Sequence, residues 1–149
     1  MDRFFNTKVA MQSARILSFA LLIIHAWFIF YFHALGVVEM RNLNFLSVLV
    51  YVISFGIIQK EKIDWFISIV GIEVMVHMIF AVYFVGTDCG LQITLLGMPI
   101  VFFYADYFSL KLRGRGAHGT IYSVIYMISY VYIELINRYH KSAHTKMSP

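Results

Sequence analysis

Residues 65–85 read WFISIVGIEVMVHMIFAVYFV. Glu73 is the only carboxylate in this run, which has no Lys, Arg or Pro. About 20 such residues, at 1.5 Å each, make a helix as long as the hydrocarbon core is thick. The strict period-2 alternation of a barrel strand is missing, so the run is predicted to be a helix. In hydrocarbon only a helix or a closed barrel satisfies the backbone.

Four more apolar segments flank it: 16–35 (ILSFALLIIHAWFIFYFHAL), 43–59 (LNFLSVLVYVISFGIIQ), 91–108 (LQITLLGMPIVFFYADYF) and 120–137 (TIYSVIYMISYVYIELIN). The whole chain is 60% hydrophobic and 13% charged over 149 residues. Soluble domains run at about 45–50% and 25%. The prediction is therefore a single all-α domain, 1–149, folded as a polytopic integral membrane bundle of five transmembrane helices in the lipid bilayer. The first run is too long for the core of a signal peptide and is read as a retained span. The connections 60–64 and 86–90 are short, so neighbouring spans should be antiparallel. One cysteine, Cys89, excludes an intrachain disulfide. The modest net charge of +4 gives no support for a nucleic-acid partner.

Orientation follows from Lys and Arg. Arg3, Lys8 and Arg15 precede the first span, Lys60 and Lys62 follow the second, and Lys111, Arg113 and Arg115 follow the fourth. The first loop holds only Arg41 and the third has neither Lys nor Arg. The N-terminus is predicted to be cytoplasmic, with Trp65 and Tyr107 as inner interface anchors. Five spans then leave the basic tail with Arg138, Lys141 and Lys146 outside. Either a sixth span is missing, or one segment does not cross. The weakest segments are the second, by length, and the fifth, by its tyrosines.

Polar residues inside the spans are few. Glu73 and His77, four apart, share one helix face. His25 lies at the middle of the first span. By the rise per residue, all three fall within roughly 3 Å of the midplane. A charged group there costs about 2.5–3.5 kcal/mol on insertion scales, which makes each one a functional-site candidate. Ser47, Tyr51 and Ser54 on the second span, and Ser123, Tyr126 and Tyr130 on the fifth, are possible partners at helical spacing. Three readings stand: polar glue between helices, a ligand- or signal-sensing pocket, and a haem or metal site using His25 and His77. A proton or ion pathway along Glu73 and His77 is a further alternative. Glu73 and His77 do not make an H-E-x-x-H zinc-protease motif. Gly86-x-x-x-Gly90 reads as a tight turn, and Pro99 as a kink in the fourth helix.

The segment EVMVHMIFAVYFVGTDCGLQITLLGMPIVFF, residues 73–103, resembles bacterial six-helix membrane-associated sensor domains. These precede diguanylate cyclases and class III adenylyl or guanylyl cyclases. The matching positions are Glu73, His77, Ala81, Gly86, Gly90, Gln92 and Pro99. Leu91 and Ile93-Thr94 depart from the aromatic residues of that pattern. The resemblance implies sensing residues Glu73, His77 and Gln92, to which His25 is added by its depth in the first span; with them go a homo-oligomer, no catalytic residue in this chain, and a cytoplasmic cyclase output domain beyond it. It also implies a bacterial inner-membrane location and a sixth helix returning the chain to the cytoplasm. No resident cofactor is expected under that reading; haem belongs to the alternative one.

Overall fold

A computed structural model describes residues 2–87, 90–113 and 119–147, with side chains over 8–87, 90–107, 110 and 119–137. Cys89 and the 114–118 part of the basic loop lie outside the described residues. So do the side chains of Arg3, Lys111, Arg113 and the tail from 138 onward. The described residues form helices only: α1 (Asp2–Ala34), α2 (Val38–Gln59), α3 (Ile63–Val85), a 3-10 turn (Leu91–Ile93) leading into α4 (Thr94–Arg113), and α5 (Gly119–Met147).

Among the described residues, four helical stretches are long and apolar enough to cross a membrane: Lys8–Ala34, Val38–Gln59, Ile63–Val85 and Gly119–Asn137. The second and fifth segments, the weakest by sequence, are both among them. The shorter one is the fourth, Leu91–Tyr107. α1 begins well before residue 16 and α5 runs well past 137. Hydropathy marks the apolar part of a helix, whereas its hydrogen bonds continue through residues such as Lys8 and Arg15.

The chain folds as two close hairpins, α1–α2 and α4–α5, with α3 seated against α2 and α4. Its surface is apolar, and polar side chains are buried among the hydrophobic ones of the core. Ile23, Trp27, Phe30, Leu49, Ile53, Ile100, Ile128 and Leu135 are exposed, while Ser18, His25, Asn44, Ser47, Ser54, His77, Gln92 and Ser123 are buried. Soluble monomers rarely expose so much apolar surface. Small and polar residues facing inward, with bulky aliphatics outward, is the pattern of helices packed in lipid. Tyr51, Val70, Val74, Leu95, Phe102 and Tyr126 fill the centre between these polar groups.

Two helices end alike. After α1, Val37 N–H donates to the Phe32 carbonyl (3.0 Å) and Gly36 N–H to His33 (3.1 Å), with Gly36 at φ +72°. After α2, Lys62 N–H donates to Ile57 (3.2 Å) and Glu61 N–H to Ile58 (2.9 Å), with Glu61 at φ +56°. Both are Schellman ends, in which the left-handed residue is usually Gly. Glu61 holds that conformation despite its Cβ. Glu61→Gly is thus expected to stabilise the protein by about 0.5–1 kcal/mol. A raised thermal midpoint in detergent micelles checks this; an unchanged or lower one refutes it.

The α3–α4 turn uses two left-handed glycines, Gly86 at φ +90° and Gly90 at φ +72°. α4 runs on through Pro99, whose carbonyl accepts a hydrogen bond from Ser123 Oγ at 3.4 Å. Asp106 on α4 accepts from Thr120 N–H, 3.2 Å away, in the first turn of α5. A carboxylate there meets the positive end of the helix dipole.

Candidate functional site: a buried carboxylate shared by two histidines

Glu73 sits midway along α3, on the face turned to α1 and α2. Ser47 and Tyr51, one turn apart on α2, both donate to it. Ser47 Oγ lies 2.5 Å from Oε1, and the Tyr51 hydroxyl bonds Oε2. His25 on α1 brings Nε2 to 3.5 Å from Oε1, and His77 brings Nδ1 to 3.7 Å from the same oxygen. His77 Nδ1 is also 3.5 Å from Ser47 Oγ. The two imidazoles stand edge to face with centroids 4.9 Å apart. Tyr51 packs on His25, and Phe28 stacks on His77. One carboxylate therefore joins side chains from three helices.

The hydrogen bonds decide one tautomer. His25 Nδ1 lies 2.7 Å from the Leu21 carbonyl of its own helix. A carbonyl only accepts, so this nitrogen carries the proton. His25 Nε2 is then the atom turned to Glu73. His77 has no such second partner: its Nε2 is buried with no hydrogen bond among the described residues. Leaving a buried polar atom unpaired costs about 1–3 kcal/mol, so a histidine at this place needs a reason.

The structure brings together three of the four residues singled out as sensing candidates: His25, Glu73 and His77. No hydrogen bond or ion pair among the described residues links Gln92 to them. Its amide donates to the Thr87 carbonyl (2.9 Å) within the glycine turn, and its Oε1 is buried without a partner. The second-span serine and tyrosine divide. Ser47 and Tyr51 bind Glu73, while Ser54 bonds the Val50 carbonyl of its own helix. On α5 the Tyr126 hydroxyl donates to the Gly71 carbonyl, and Tyr122 donates to Ser68 Oγ at 3.0 Å. The fifth helix thus holds α3 from the opposite side. His33 lies at the other end of α1, beside Arg41 at 3.4 Å.

Sequence reading missed Leu21, whose contribution is a backbone carbonyl and carries no residue-type signal. It also missed Asn44, fully buried one turn from Ser47, with its amide on the Met40 carbonyl at 2.7 Å. Its spacing from Ser47 and Tyr51 on α2 was the signal that could have found it. Comparisons with protein-family models, with curated proteins and with solved structures find no match.

Proposed function

We propose that this chain is the membrane-embedded sensing and anchoring region of a bacterial signalling protein. In this reading it spans the membrane five times, with its N-terminus cytoplasmic, and the Glu73 cluster is the sensing site. The output is a cytoplasmic nucleotide-cyclase domain, as the resemblance of residues 73–103 implies, and this chain itself does no chemistry. One observation carries the proposal: a single buried carboxylate is shared by groups from α1, α2 and α3. Whatever competes for Glu73 releases three helices at once. A ligand with different affinities for two packings shifts their populations.

Haem between His25 and His77 is less well supported. The rings are only 4.9 Å apart, and the Glu73 carboxylate contacts both. A flat macrocycle would have to pass through the space that the carboxylate occupies.

The test is the distance between α1 and the start of α3 in lipid vesicles. Spin labels at Arg15 and Lys62, both exposed, are introduced on a Cys89→Ser background. Two distance populations are expected. Glu73→Gln should change their ratio about ten- to a hundred-fold, as expected for losing one charged hydrogen-bond partner. One distribution, identical in both proteins, would overturn the proposal.

A further inference from the structure

We infer that His25, Glu73 and His77 form a binding site for one divalent first-row transition-metal ion of the zinc type. The inference rests on the sensing reading only for the ion's role, since binding itself would stand without it. Two imidazoles and one carboxylate make a donor set suited to zinc or ferrous iron. Calcium and magnesium, which require oxygen ligands in larger number, are poorly served by it.

Spacing is the second argument. One donor atom from each of the three side chains lies within 4.8 Å of the other two. Bonds of 2.0–2.1 Å at tetrahedral angles set ligand atoms about 3.3 Å apart. The two edges from Glu73 Oε1 measure 3.5 Å to His25 Nε2 and 3.7 Å to His77 Nδ1. Those two edges need to close by only a few tenths of an ångström, and the third, between the two histidines, lies within 4.8 Å. A fourth corner is within reach of Ser47 Oγ, which already lies beside Oε1 and His77 Nδ1.

Third, the outer partners match those of a metal site. Ligating histidines commonly donate their other N–H to a carbonyl or carboxylate, which fixes the tautomer. His25 does this through Leu21, presenting the Nε2 lone pair to the centre. Tyr51 holds Oε2 of Glu73 and leaves Oε1 turned to the two rings. His77, 1% exposed, turns Nδ1 to the same centre, with no hydrogen bond among the described residues at its Nε2. Glu73 and His25 keep 9% and 6% side-chain exposure, against 1% for His77.

The experiment uses the tag-free 149-residue chain in detergent micelles, stripped with EDTA and titrated with cobalt(II). The expected result is one Co²⁺ per chain, with the intense visible bands of four-coordinate cobalt, displaced by one equivalent of Zn²⁺. Glu73→Gln and His25→Ala should weaken affinity about a hundred-fold or more, and Tyr51→Phe about ten-fold. His33→Ala should leave it unchanged. Circular dichroism reports whether each variant folds, and the wild-type titration decides the matter even if none does. No stoichiometric uptake by the wild-type protein overturns the inference, as does equal uptake by folded Glu73→Gln and His25→Ala. Zinc added to the spin-labelled vesicles separates the two ideas. Zinc bound with distances unmoved leaves the metal site and removes the sensing role. No zinc bound, with distances still shifted by Glu73→Gln, does the reverse.

Discussion

Glu73→Ala is expected to lower stability by about 2–4 kcal/mol, measured by SDS titration in mixed micelles and followed by far-UV circular dichroism. The change removes the acceptor for Ser47 and Tyr51 and the anion facing two imidazoles. Tyr51 is fully buried, so its hydroxyl would have no water to turn to. The cost of carrying a carboxylate in an apolar phase does not cancel this loss. In micelles the separated helices carry Glu73 in the same phase, so that cost appears on both sides of the equilibrium. What remains is the set of lost partners, at about 0.6 to 1.7 kcal/mol per interhelical hydrogen bond and more where one partner is charged. Breaking one member of a buried polar set is worse than replacing the set. Glu73→Leu combined with Tyr51→Phe and Ser47→Ala should accordingly regain part of the loss. A single-mutant effect below about 0.5 kcal/mol would show that the cluster holds nothing together.

Gly119→Ala is expected to cost about 2–3 kcal/mol, the upper part of the overpacking range. A Cβ at Gly119 would run into the Phe102 carbonyl oxygen and stand 2.7 Å from the Asp106 carboxyl group. The first obstacle is backbone, which yields only if α4 moves as a whole. Such movement would also pull Asp106 from Thr120 N–H and Ser123 from the Pro99 carbonyl. Gly97→Ala is the control. It too lies within a helix, but its Cβ would meet nothing within 4 Å. Without a clash, helix propensity favours alanine by about 0.8–1 kcal/mol. Thermal midpoints of the two variants in one detergent compare them directly; equal midpoints would refute the close α4–α5 approach.

The helices were legible in the sequence because four are apolar for about the thickness of a bilayer and the fourth in order, Leu91–Tyr107, for somewhat less. Their faces were not legible by hydrophobicity. Ile100 is exposed and Leu95 buried, yet both are aliphatic. Where the surroundings are apolar too, water no longer sorts one side of a helix from the other. Only the rare polar residues reported the inward face, and they reported it well: His25, Glu73, His77, Ser47 and Tyr51 converge. Gln92 joins the glycine turn, because its position at the head of α4 places it beside Thr87. The Asp106 contact with α5 links residues 14 apart across a hairpin, and no local pattern encodes it. Glu61 in a left-handed conformation was equally hidden, since glycine is the usual marker of that helix end.

Among the described residues, polar ties from three other helices end on α3. Ser47 and Tyr51 reach it from α2, His25 from α1, and Tyr122 and Tyr126 from α5. Turning α3 by one residue, about 100°, would carry Ser68, Gly71, Glu73 and His77 off their partners together. Intermediate angles satisfy none of these ties. The helix therefore behaves as a keyed shaft: these polar teeth engage together at one angle and are lost together when it turns.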